Sequence, residues 1–174
     1  MRKNSVVVLV MFLCLVVAAI GFAMDNGKAG GHDGGEGCQY CGMSLEKFAH
    51  SMMVINYDDG STVKTCSVHC AAVDLAVSID KVPAIIMVGD YNSKQHINAE
   101  TAHWVIGGNL PGVMTKNAKW AFADRESADA FIKDNGGKIA DFEEVMEMTF
   151  VDMYSDTRMI REKRKKMKAM KMSQ

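Results

Sequence analysis

The strongest constraint on this chain is an order of segments that occurs twice. Ser51–Tyr57 carries Met52, Met53, Val54 and Ile55, Asp58-Asp59-Gly60 is a tight-turn signal, and β-branched residues resume over Ser61–Thr65. Ser67 then stands as an N-cap before Val68, Ala71, Ala72, Leu75 and Ala76 at helical spacing, with an end expected near Asp80. Pro83–Val88 reads as a further strand. Downstream, His103–Ile106 is apolar, a Gly-rich turn runs from Gly107 to Gly112, and Lys119–Ala123 is strand-like. Asp124 caps a helix bearing Ala128, Phe131 and Ile132, which stops at Gly136-Gly137; Lys138–Phe142 is a last short strand and Glu143–Met148 is helical. His50 aligns with His103 and Cys66 with Ala123, the longer second turn absorbing the difference in offset. The expected class is α+β, with two tandem ββαβ halves over residues 38–90 and 91–150.

Both ends differ from this body. The first 23 of the 174 residues contain no acid, open on Arg2 and Lys3, run apolar from Val6, and close on Gly21-Phe22-Ala23. That pattern reads as a secretory signal with cleavage after Ala23, the uncleaved alternative being an N-terminal membrane anchor. Either way the protein is expected in the periplasm or elsewhere outside the cytoplasm. Cys14 follows Leu13, which is not the small residue that a lipid-attachment signal needs, so it reads as apolar filler. Residues 24–37 form a Gly-rich tether in which His32 is a solvated linker residue. From 151 to 174 the chain becomes a basic, Met-rich helical tail, with eight Lys or Arg against one Glu after Thr157, whereas residues 24–157 carry ten Lys or Arg and twenty Asp or Glu. An acidic body excludes a uniformly basic nucleic-acid binder. The tail suits anionic lipid headgroups or an acidic partner. Its methionines could pick up Cu(I) transiently, packing along a helix face being the simpler account.

Four cysteines follow the tether. Two disulfides are the ordinary reading outside the cytoplasm, but a Cys38–Cys41 bridge closes so small a ring that it adds little stability. Such close pairs serve redox or metal chemistry more often. Cys38-Gln-Tyr-Cys41-Gly-Met43 puts two thiols and a thioether within six residues. Cys66-Ser-Val-His-Cys70 puts two thiols on one face of a helix start, where the dipole favours thiolate. Met114 lies just past the Gly-rich turn of the second half. Soft sulfur donors select Cu(I); Zn(II) accepts thiolates but uses thioethers rarely. His69 points about one helical step from Cys66 and could be a surface residue or a ligand, while His50 and His103 are weaker candidates. No carboxylate pair, phosphate loop or nucleophile elbow is evident.

The exported Cys-Gly-Met, the hairpin after it, His103-Trp-Val-Ile-Gly-Gly-Asn-Leu-Pro-Gly-Val-Met114, Trp120-Ala-Phe-Ala-Asp124 and Asn135-Gly-Gly-Lys-Ile together resemble the NosL family, copper-binding accessory proteins of nitrous oxide reductase maturation. The resemblance covers roughly Cys38 to Met148. It implies a two-half fold like that of organomercurial lyase and a non-catalytic Cu(I) metallochaperone, with Cys41, Met43 and Met114 as ligands. Cys38, Cys66 and Cys70 would be auxiliary, and the partner would be a copper-accepting exported enzyme or its maturation complex, nitrous oxide reductase foremost. Cys66-x-x-x-Cys70 departs from the family pattern and looks more like small heavy-metal modules. Two alternatives therefore stand beside the carrier: a Zn(II) module with four thiolates, and a thiol–disulfide oxidoreductase using Cys38 and Cys41. Carbon–mercury bond cleavage rests on fold analogy alone.

Overall fold

The computed structural model describes residues 37–173; the expected signal, Cys14, His32 and most of the Gly-rich tether lie outside them. The first half forms strands β1 (Met53–Tyr57) and β2 (Thr62–Thr65), helix α1 (Val68–Val77) and strand β3 (Pro83–Gly89), followed by a short β4 (His96–Asn98). The second half forms β5 (His103–Ile106), β6 (Lys119–Phe122), α2 (Arg125–Asn135) and β7 (Lys138–Ala140), and a helix α3 (Phe142–Met172) closes the chain. This is a mixed fold with two small antiparallel sheets, as the repeated order predicts.

Strand order repeats as well. β1 lies between β2 and β3, and β5 lies between β6 and β7, every pairing antiparallel. The terminal pairs Met53↔Thr65 and His103↔Phe122 occupy the same place in the two hairpins. Met53, not His50, is thus the counterpart of His103, while Cys66 and Ala123 each follow the second strand as expected. The first half adds β4 to its sheet edge through Met87↔Asn98. Three residues of mixed polarity left no strand signal to read.

Two apolar layers hold these pieces. In one, Met53, Ile55 and Ala71 meet Trp104 and Ile106 from the second sheet and Phe142 and Val145 from α3. Trp104 is 1 % exposed and donates its indole N–H to the Ala99 carbonyl at 2.8 Å, so its burial leaves no polar atom unpaired. In the other, the opposite face of the second sheet (Val105, Trp120, Phe122) packs under Ala128 and Phe131 of α2 and against Cys38, Cys66 and Cys70. The sheets join at one seam. Asp90 forms a parallel bridge with Ala121, Tyr91 N–H donates to the Ala121 carbonyl at 2.8 Å, and the Asp90 carboxylate accepts from Ala123 N–H at 2.9 Å.

The helix expected over Glu143–Met148 and the basic helix expected from about Asp152 are one element. Asp141 and Glu144 form a capping box at its start, and no Gly or Pro interrupts the 31 residues. Tertiary bonds fix its middle. Asp156, 1 % exposed, accepts Lys116 N–H at 3.0 Å, and Asp152 accepts Lys119 Nζ at 2.7 Å and Asn117 Nδ2 at 3.0 Å. Among the described residues no helix is long and apolar enough to cross a membrane.

Candidate metal centre

Cys38 to Met43 folds into a tight turn before the first sheet begins. Cys38 N–H donates to the Met43 carbonyl at 2.8 Å and Gly42 N–H to the Cys38 carbonyl at 2.7 Å, with Gly37 and Ser44 bridged outside them. The turn needs Gly42 at φ 75°, where a side chain would be strained. Cys66 ends the hairpin and Cys70 sits in the first turn of α1. The fold lays the turn over that helix start, and the four sulfurs come within 4.8 Å of one another.

Asp74 of α1 holds the turn in place. Its carboxylate, 2 % exposed, accepts from Tyr57 Oη at 2.5 Å, from Gln39 Nε2 at 3.2 Å and from the Tyr40 hydroxyl. Burial first, and then the bond to Asp74, pushes the Tyr57 phenol up to about 12. Tyr40 is raised further for the same two reasons, so both phenols stay protonated donors.

All four thiols are free, and the Cys41 and Cys66 sulfurs stand 3.3 Å apart, against about 2.0 Å for a disulfide. Cys66 and Cys70 are 3.8 Å apart. A tetrahedron with metal–sulfur bonds of about 2.3 Å has edges of about 3.8 Å, so the cluster is near the size that closes on one ion. Crowding also splits the titration. Hydrogen bonds from Cys41, then from Cys66 and Cys70, hold the Cys38 thiol far below the ordinary thiol range. Bonding to Cys38 first pushes Cys66 and Cys70 well above it. Cys41 is opposed by Cys38 but lowered by bonds from Cys66 and Cys70, so negative charge gathers on the turn while Cys66 and Cys70 keep their protons. A cation that replaces those protons would relieve the crowding. Cys38 and Cys66 are fully buried and Cys70 nearly so; of these four, Cys41 alone is partly open.

Two open clefts meet at Cys41. One, of about 330 Å³, is lined by Tyr40, His69, Cys70, Met114 and Arg161 among others. The second, about 490 Å³, takes in Met43, His50, Met114, Met159 and Met167. Both methionines expected as ligands therefore flank the one accessible thiol. Met114 holds φ 63° in the loop between β5 and β6, a left-handed conformation rare for a residue that is not Gly, Asn or Asp. The loop keeps it there: Gly107 N–H donates to the Ala118 carbonyl at 2.8 Å, and Thr115 and Asn117 bond each other.

The histidines resolve differently from their sequence reading. His69 is 4 % exposed, not at the surface; burial pushes its pKa down, Asp156 opposing, and its Nδ1 has no hydrogen-bond partner although Asp156 lies 3.8 Å away. That partner is 87 positions downstream, beyond any local pattern. His50 lines the larger cleft among Phe48, Tyr91 and Trp120, and burial lowers its pKa too. His103 lines neither cleft. The sequence reading missed Met159 and Met167 as cleft residues; their only signal was the tail's methionine content.

The family model NosL matches residues 32–150. Comparison with curated proteins gives no match. Among solved structures, the crystal structure of the copper chaperone NosL from Shewanella denitrificans is similar at a TM-score of 0.50 and 24 % identity, over 67 % of this chain and 94 % of that one. At that identity the likeness carries the fold alone. Residues 151–173, most of α3, lie beyond the matched segment.

Proposed function

The chain belongs to the NosL family, and from that premise we propose that it carries Cu(I) outside the cytoplasm and hands it to an exported copper enzyme, with nitrous oxide reductase as the favoured acceptor. The observation that carries this reading is the partly open Cys41 sulfur, 3.3 Å from Cys66 and flanked in one cleft by Met43 and Met114. Thiolate and thioether donors together suit a soft monovalent ion. A carrier must also release its cargo. Three buried cysteines retain the ion while an acceptor's ligand approaches from the Cys41 side, and Met43 and Met114 leave without needing a proton. The ion stays Cu(I) throughout, so no electron donor is required and the carrier is not an enzyme. The basic end of α3 offers the acidic surface of an acceptor an electrostatic foothold.

Replacing Cys41→Ala together with Met43→Leu is expected to remove most Cu(I) affinity in competition with a chromophoric chelator, while circular dichroism stays that of the folded protein. Unchanged competition would overturn the assignment. The near-tetrahedral spacing of the four sulfurs favours one other reading, a resident Zn(II). Metal analysis separates the two: one tightly held zinc per chain that Cu(I) does not displace would assign the thiolates to Zn(II).

A further inference from the structure

Methionine is common in this tail, but two of its methionines border a cleft. Met159 and Met167 line the same cleft as Cys41, Met43 and Met114. Four thioethers thus surround the approach to the one accessible thiol. We infer that α3 supplies a thioether vestibule to the metal centre, in which Met159 and Met167, with Met43 and Met114, receive a soft monovalent ion ahead of the cysteines. The inference deepens the copper reading and rests on it for the identity of the ion, but not on which metal the four thiolates hold.

The helix is fixed where the vestibule needs it. Asp156, one turn before Met159, accepts Lys116 N–H at 3.0 Å from the loop that carries Met114. Further along, Arg164 donates to the Cys41 carbonyl at 2.7 Å. These two bonds lay the segment between them across the cleft, from the Met114 loop to the Cys38–Met43 turn. Met159 and Met167 are eight residues apart, or about 12 Å along the axis. That is too far to share one ion comfortably, so each adds a donor at a different depth. Met167 is 52 % exposed, whereas Met159 is half-buried. An ion therefore meets Met167 at the open end and reaches Met159 and Met114 further in.

Charge sharpens the selection. Lys163 and Arg164 line the cleft together with the methionines. Their positive charges oppose a divalent ion twice as strongly as a monovalent one at equal distance. Thioethers add little affinity for Zn(II) and much for Cu(I). Both effects point the same way: the vestibule admits Cu(I) and turns away the divalent ions that would compete for the thiolates. A helix face packed only for stability has no need of sulfur at both positions. Met114 adds to the case, since its left-handed backbone keeps a methionine where glycine would sit without strain.

The test uses the full exported chain with methyl-labelled methionine, titrated with Ag(I), a redox-inert substitute for Cu(I). The methyl resonances of Met43, Met114, Met159 and Met167 should shift, while that of the fully buried Met53 should not. In the Met159→Leu/Met167→Leu variant, Cu(I) loading from a chelator complex should slow by about tenfold, with the final affinity of the cysteines little changed. Silent Met159 and Met167 methyls beside responsive Met43 and Met114, or loading at the native rate, would overturn the vestibule and leave the copper reading standing. Silence of all four methionine methyls, with no Cu(I) taken from the chelator complex, would overturn both. Unaltered circular dichroism of the variant excludes a collapsed helix as the cause of slow loading.

Discussion

The two halves share the order of their first three strands, and the difference that bears on the site lies at the start of the helix. In the second half Asp124 caps α2: its carboxylate accepts Ser127 N–H at 2.7 Å, and Glu126 adds an acid to the first turn. In the first half the counterpart of Asp124 is Ser67, which makes no side-chain cap bond, and the first turn of α1 has no acid. The counterparts of Ala123 and Ser127 are Cys66 and Cys70. One half uses its helix N-terminus for its own stability; the other leaves that positive end to sulfur. An aspartate cap at Ser67 would set a carboxylate beside the cluster, where it would repel thiolates and compete for the cation.

The sharpest way to break this comparison is to exchange its chemistry. Cys66→Ala with Cys70→Ala should lower affinity for Ag(I) or Cu(I) by at least about 100-fold, beyond what the loss of supporting groups around a metal usually costs. Ser127→Ala, at the matching position of α2, should leave affinity unchanged. Chelator competition on both variants checks the pair. An equal loss from both would mean that the helix starts contribute to global packing and not to a metal site.

The next effect concerns the seam that holds the two halves together. Burial disfavours charge on Asp90, but bonds from Ser93 and Ala123 more than offset it, so its pKa lies below the usual 3.8. Asp90→Ala should cost about 1–3 kcal/mol in urea unfolding at pH 7, because the Ala123 and Ser93 donors lose their acceptor. Since the folded pKa is depressed, this contribution is complete above about pH 4 and fades as pH falls through the lower folded value. The gap between native and variant stability should therefore narrow in acid; a gap independent of pH would remove the charge from the account.

Most of the repeated fold was legible because its signals are local. Asp58-Asp59-Gly60 marks a turn by backbone preference alone, Asp124 and Gly136 mark helix ends, and the apolar alternation gives strands. What escaped has a distant cause. The four-thiolate alternative joined the two cysteine pairs on chemistry alone, since nothing near Cys41 announces that the turn folds back onto α1; that depends on Asp74 receiving Tyr40 and Gln39 from over 30 residues away. The continuity of α3 escaped for the same reason. Thr149-Phe150-Val151 is a poor helix former in isolation, but Asp152 and Asp156 are held by the loop of the second half. Met114 was picked out by its motif, while its left-handed backbone could not be read from neighbours that include no special turn signal at that residue.

The smallest effect isolates the caps themselves. Asp124→Ala removes a charged acceptor from Ser127 N–H and should destabilise by about 1 kcal/mol, seen as a fall in Tm of about 3 °C. Ser67→Ala removes a hydroxyl that makes no cap bond and only a 3.9 Å contact with the Cys66 sulfur, so it should cost less than about 0.5 kcal/mol in the metal-free protein. Soft metal should raise the Tm of both variants and leave the asymmetry in place, because the ion ties Cys66 and Cys70 together across the uncapped turn without engaging the Ser67 hydroxyl or the Asp124 cap. Thermal unfolding of both variants, with and without Ag(I), measures this directly. Equal losses from Ser67→Ala and Asp124→Ala without metal would show that the first helix is capped after all, and that the two halves do not divide stability and chemistry between them.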